Sequence, residues 1–323
     1  VKAAAYLAGL LGLALLTVLV VHADLPALVR TWNLASPALL WLVPYRMIFF
    51  VLYAVGWRAM LRPFDPANNA GFGYVLLATT VREGVDRLLP VASLGGSVVG
   101  VRLMRWRGLA IAPVSATIIA EIVLTLIAVY LFGGLATLIL VGSPAGGDHH
   151  GVVWVLALSL PIPVVSLLLL RYGSVFQRLQ RFLRPMVGLT GADTAVSLDE
   201  DLRACLGRVG TLLLAGSLQF VALVSASFEI WWALRLFEHP VSSASSVMLE
   251  GLAQAVRHLA FIVPAGLGVQ EAALVLFGHA LGISTELALA VSAVKRAREV
   301  LCGLPPLLWW QLQEARRLRA IHS

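Results

Sequence analysis

The chain of 323 residues is 59% hydrophobic and only 13% charged, with a mean hydropathy of +0.89. A soluble domain of that length has too little interior to hide so much apolar surface, so the composition excludes an ordinary globular protein and indicates a polytopic membrane protein. The net charge of +7 is carried almost entirely by arginines that bunch beside apolar segments. That placement suits topology signals and lipid headgroups better than nucleic acid, which is not an expected partner.

A membrane-spanning helix needs about 20 apolar residues. In chain order, six stretches qualify: Ala3–Val21, Ser36–Met60, Ala110–Phe132 (extendable to Val141), Val152–Leu170, Val209–Leu236 and Leu287–Leu312. The first could be read as a signal peptide cut after Ala23, but its apolar run is long for one, so a retained first helix is expected. Cys205 and Cys302 lie in or beside apolar stretches and offer neither a disulfide framework nor metal-ligand spacing. The segment Gly147–Gly151, "GDHHG", has the residue types of a weak metal site, yet in a polar loop it is expected to be just a loop. No metal and no cofactor are expected.

Positive charge sets the orientation. Arg62, Arg82, Arg87, Arg102, Arg105 and Arg107 fall between the second and third spans. Arg171, Arg178, Arg181, Arg184, Arg203 and Arg208 fall in the polar loop 171–208, which has the pattern of a cytoplasmic loop with an amphipathic helix. Arg316, Arg317 and Arg319 close the chain, while the segment Gly142–Gly151 has no Lys or Arg. Both termini and the two basic loops are therefore expected on the cytoplasmic side of a bacterial inner membrane.

Two apolar regions, Val75–Met104 and Val247–Gly282, are interrupted. In the first, Pro90 removes a backbone donor and Gly95-Gly96 permits a tight reversal; in the second, Pro264, Gly266 and Gly268 do the same. Each predicts two half-helices in a re-entrant hairpin, tolerated at membrane depth only against protein or a wet cavity. Pro90 and Pro264 are 174 residues apart, as are Trp57 and Trp231, and Ala59 and Ala233. The expected fold is a single all-α membrane domain (1–323) with six spans and two hairpins, arranged as an inverted repeat of halves 1–141 and 152–313. Paired, broken segments of this kind point to a transporter's substrate site.

Charges inside membrane segments are costly and default to functional hypotheses. Arg82, Glu83, Asp86 and Arg87 precede Pro90, with Arg82–Asp86 and Glu83–Arg87 at i,i+4 spacing. Arg257 and His258 precede Pro264, Glu271 follows Gly268, and Lys295, Arg296, Arg298 and Glu299 open the last span. Glu121 stands alone in the third span, and Arg257, Lys295 or Arg298 is its expected partner. The candidate substrate-binding set is Arg87, Pro90, Gly95, Gly96, Glu121, Arg257, His258, Pro264, Gly266, Gly268, Glu271, Lys295, Arg298 and Glu299. Arg87, Arg257, Lys295 and Arg298 are expected to draw a headgroup, because guanidinium groups grip phosphate in bidentate fashion. Arg102, Arg105 and Arg107 are expected to snorkel to the membrane interface. No P-loop, nucleophile elbow or zinc-protease motif occurs, so no enzyme activity is expected and transport is expected to be passive or ion-coupled.

"LLPVASLGG", "FIVPAGLGVQEAALVLFGHALG" and "AVKRAREVLCGLPPLLWWQLQEARR" resemble the flippase-like membrane domain of lysylphosphatidylglycerol synthases and its stand-alone relatives. Within that group they are most similar to the hopanoid-biosynthesis-associated membrane proteins (HpnL type). The resemblance implies lipid translocation or lipid binding, of a hopanoid or an anionic phospholipid. The synthases also carry a cytosolic aminoacyl-transferase domain that these residues do not contain, so lipid aminoacylation by this chain alone is not expected. The resemblance further implies an acidic residue after Gly95-Gly96, where this chain has Ser97; that role is expected to be either dispensable here or taken by a neighbour such as Glu83 or Asp86. Membrane lipids, a second copy of the chain and lipid-synthesis enzymes are the candidate partners. The rival functions are a scaffold recruiting such enzymes through the loop 171–208, and a headgroup-modifying enzyme with Glu271 and His258 as acid and base.

Overall fold

The computed structural model describes residues 37–89, 95–142, 192–259, 263 and 268–322. The expected spans Ala3–Val21 and Val152–Leu170, the "GDHHG" loop, and Pro90, Pro264 and Gly266 lie outside the described residues. Those described are helical, with no strand among them. In order they form α1 (Leu42–Leu61, entered through a 3-10 turn at Pro37–Trp41), α2 (Phe72–Leu88), α3 (Gly95–Arg105) and α4 (Ile111–Val141). After these come α5 (Ala192–Leu206), α6 (Val209–Ser225), α7 (Ser227–Leu236), α8 (Ser243–Leu259), α9 (Val269–His279) and α10 (Thr285–His322). The protein is an all-α polytopic membrane protein, as its composition requires.

Among the described residues, three helical stretches are long and apolar enough to cross a bilayer: Pro37–Phe64, Ile111–Val141 and Val209–Leu236, of 28, 31 and 28 residues. The last is not one unbroken helix. The Tyr45 phenol donates to the Ser225 carbonyl at 2.9 Å, at the joint between α6 and α7. The expected final span Leu287–Leu312 falls within α10, a helix of 38 residues that carries four charges at one level. The amphipathic helix expected in the basic loop is α5. Its Leu198, Leu202, Cys205 and Leu206 recur on one face and are buried in the same core as Trp57, Met60, Leu103 and Met104.

Both interrupted regions fold as pairs of short helices. In the first, the Gly96 N–H donates to Asp86 Oδ1 at 2.7 Å at one end, and the Tyr74 hydroxyl donates to the Leu103 carbonyl at 2.9 Å at the other. Those two bonds make α2 and α3 an antiparallel hairpin. In the second, Arg257 at the end of α8 donates to Gln270 at the start of α9 at 2.9 Å. The lengths match: α2 and α8 have 17 residues each, and α3 and α9 have 11 each. Neither 11-residue arm can cross a bilayer, because it rises only about 16 Å at 1.5 Å per residue.

Each hairpin's longer arm packs on the long helix of the opposite half, α2 on α10 and α8 on α4. Glycine permits both approaches. A Cβ on Gly84 would stand 2.6 Å from the Gly303 carbonyl oxygen, and a Cβ on Gly251 would stand 2.6 Å from the Ala136 methyl. Small residues take this role in membranes because van der Waals contact, rather than water exclusion, holds helices together there.

Candidate functional site

The two hairpins, α10, α1 and α7 bring charged side chains from six helices into one buried network. Its centre is Glu299 on α10. Arg296 lies 3.0 Å from its carboxylate, Arg257 of α8 at 3.3 Å and Arg87 of α2 at 3.7 Å. Arg87 also holds Glu83 one turn earlier, at 2.9 Å, the i,i+4 pair expected from spacing. Glu83 in turn meets Arg46 of α1 at 3.3 Å. Arg46 lies 3.6 Å from Glu229 of α7, whose other oxygen is 3.0 Å from Arg298. Arg296 closes the set on Glu271 of α9 at 3.1 Å, and Ser292 donates to the same carboxylate oxygen at 3.1 Å. Among the described residues, five arginines are linked to four glutamates in this chain of contacts.

Two neutral pairs stand beside it. Lys295 pairs with Glu250 of α8, both buried. Arg82 of α2 meets Glu121 of α4 at 2.7 Å and lies over the Trp57 ring, 4.5 Å from its centroid. Glu121 and Lys295 are themselves 174 residues apart, whereas their partners Arg82 and Glu250 are 168 apart. The expected partners of Glu121 are thus corrected: Arg257, Lys295 and Arg298 are held elsewhere, and Arg82, from the same half, reaches it first. Arg82 consequently does not pair with Asp86. That carboxylate caps the start of α3 through the Gly96 N–H, beside Ser97. Such a bond satisfies a free amide at a helix N-terminus and places negative charge at its positive end.

Of the sequence-predicted site residues, Arg87, Arg257, Glu271, Arg298 and Glu299 come together in the network, with Lys295 adjoining it. Gly95 and Gly96 open α3, and Gly268, at φ +75°, precedes α9. The Gly268 conformation strains any L side chain, which accounts for glycine there. The His258 ring Nδ1 is engaged by the Gln254 carbonyl at 2.8 Å, and no contact joins the ring to Glu271 among the described residues. Arg46, Glu229 and Glu250 were not singled out from the sequence, and Arg296 was noted without being placed in the set. The signal existed, since each of the three is a charge inside an apolar run, the same criterion that drew attention to Glu121.

The model of the lysylphosphatidylglycerol synthase TM region matches residues 6–305. The chain belongs to that family. No curated protein and no solved structure matches it. A member of the lysylphosphatidylglycerol synthase TM family is a membrane protein tied to lipid biology, and the network offers a lipid specific chemistry. Arg46 Nε, Arg298 Nε and Gln270 Nε2 are buried donors with no acceptor, and Glu271 Oε2 and both Glu229 carboxylate oxygens are buried acceptors with no hydrogen-bond donor. Unpartnered polar atoms at depth are costly, at about 1–3 kcal/mol each, unless a guest or water completes them. The excess in the network is one of charge, five arginines to four glutamates, which suits a guest carrying negative charge.

Proposed function

We propose that this chain binds the headgroup of an anionic lipid in the arginine-rich network between its two helical hairpins and passes it between leaflets. The observation that carries the reading is the surplus of positive charge in a buried network where five arginines share four glutamates, with Arg46 Nε, Arg298 Nε and Gln270 Nε2 left as donors without acceptors. A phosphate would complete those donors and offset the surplus cation, and guanidinium forks bind it bidentately. Glu299, gripped by three arginines, acts in this reading as a stand-in for the headgroup and yields Arg87 and Arg257 when a lipid enters.

The rest of the proposal follows from the helix pairs. Halves 1–141 and 152–313 form an inverted repeat, with the hairpins as gates on opposite sides of the membrane. The starts of α3 and α9 (95 and 269) and of α4 and α10 (111 and 285) each differ by 174, the offset already present between Trp57 and Trp231. The basic segments favour a topology with both termini on the cytoplasmic face of an inner membrane. An anionic phospholipid is favoured over an uncharged hopanoid because the network's chemistry is cationic. No bond-making step is assigned, and the exchange needs no nucleotide.

The test is leaflet exchange of fluorescent phosphatidylglycerol in vesicles containing the purified chain, read by the fraction protected from an impermeant quencher. Exchange well above protein-free vesicles, and faster for phosphatidylglycerol than for a neutral lipid, supports the reading. No exchange above protein-free vesicles sinks it.

A further inference from the structure

Away from the network, the ends of α3 and α10 enclose a second feature with its own chemistry. A cavity of about 210 Å³ is lined by Tyr74, Trp106, Arg107, Trp309, Gln313 and Arg317. The Arg107 guanidinium lies over the Tyr74 ring, 4.2 Å from its centroid, and Arg317 lies over the Trp106 ring at 4.1 Å. A guanidinium stacked by its face keeps its in-plane N–H groups pointing outward. Among the described residues neither arginine joins an ion pair. The nearby carboxylate, Glu314, is engaged by Arg102, whose Nε donates to it at 3.0 Å.

The surface beside the cavity is apolar. Leu301, Leu304, Leu308 and Leu312 of α10 are all at least two-fifths exposed, and they recur at helical spacing. Trp309, Gln313 and Arg317 each follow such a line by one position, about 100° round the helix. An aliphatic stripe therefore runs up to two tryptophans and ends at two arginines. Tryptophan and tyrosine favour the headgroup level of a bilayer, and leucines favour its acyl chains.

We propose that this cavity is a docking site for the phosphate of an anionic phospholipid at the membrane surface, with one acyl chain lying along the leucine stripe. The site is separate from the charged network and requires only that the chain sit in a membrane, not that it translocate lipid. Arg107 and Arg317 grip the phosphate through their in-plane N–H groups, Gln313 contributes a further donor, and the two tryptophans border the glycerol region. The stripe is what distinguishes a lipid from a free anion here.

The experiment uses the full chain in phosphatidylcholine nanodiscs doped with phosphatidylglycerol that carries a photoreactive diazirine on its headgroup, with crosslinks mapped by mass spectrometry. Crosslinks are expected on the peptides holding Trp106–Arg107 and Trp309–Arg317. The double variant R107Q/R317Q lowers their yield at least fivefold, whereas R105Q, altering an exposed arginine outside the cavity, and R257Q, altering the network, leave it within twofold. Unlabelled phosphatidylglycerol competes, and glycerol phosphate in solution does not. Equal competition by glycerol phosphate would make this a free-anion site and overturn the proposal. So would unchanged yield in R107Q/R317Q, or crosslinks confined to α2, α8 and α9. Loss of leaflet exchange in R257Q with these crosslinks intact would show that the two sites stand or fall separately.

Discussion

Removing Glu250 leaves the Lys295 ammonium in a pocket that exposes only 4% of its side chain, opposite a carboxylate that exposed 1%. Water cannot reach the orphaned charge without opening the α8–α10 contact, so the single variant E250L bears most of the desolvation penalty alone. Breaking a buried pair in this way costs about 3–5 kcal/mol, while replacing both partners with apolar groups of similar volume is close to neutral. The double variant E250L/K295M is therefore expected to recover all but about 1 kcal/mol of stability. A double-mutant cycle by thermal or denaturant unfolding in detergent reads the coupling directly. A coupling below about 0.5 kcal/mol would refute the claim that this pair is dry and closed. Because the pair is neutral and separate from the five-arginine network, the folded double variant is also expected to retain leaflet exchange.

Gly84→Val pushes a side chain against the Gly303 carbonyl, 2.6 Å from where its Cβ would stand, and should cost about 1–3 kcal/mol or more in unfolding experiments. Gly73→Val, with open space around it, should produce no such loss. Asp86→Ala orphans the Gly96 N–H at the start of α3 and is expected to cost about 1–2 kcal/mol. Adding Ser97→Asp should restore about 0.3–1 kcal/mol through the helix dipole, and no restoration would argue against Asp86 filling the place of the missing acid. Burial pushes the Cys205 thiol up to about 11, with Arg208 opposing the shift. A raised thiol pKa means the neutral, unreactive form persists through pH 7–8, so maleimide should label Cys205 slowly in the folded protein and quickly after denaturation. Rapid labelling in the folded state would contradict the packing of α5.

The helical class, the two broken segments and most of the charged cluster were legible in the sequence because each rests on local chemistry. A proline and paired glycines inside an apolar run can hardly form a plain span, and charges there stand out. Partner choice was less legible. Arg82 and Asp86 sit at ideal i,i+4 spacing, yet Arg82 turns to Glu121 and Asp86 to the Gly96 amide, since packing across helices outweighs a pair worth about 0.2–0.5 kcal/mol on one helix. Arg46 and Glu229 went unnoticed for a different reason. Each looks like an isolated flaw in its own span, and only the approach of α1 to α7 makes them the bridge between Glu83 and Arg298. The α6–α7 joint was likewise hidden, because a distant phenol engages the Ser225 carbonyl and no local breaker marks the site.

The central claim is that the arginines around Glu299 hold a lipid headgroup, and phosphatidylglycerol exchange in vesicles tests it most directly when three variants are compared. R257Q should slow exchange at least tenfold by removing a headgroup ligand. E299Q should also slow it, with more phosphatidylglycerol retained on the purified protein, because the carboxylate that competes for Arg87 and Arg257 is gone. E250L/K295M should exchange at the parent rate. Equal exchange in all three, with no change in retained lipid, would contradict the account.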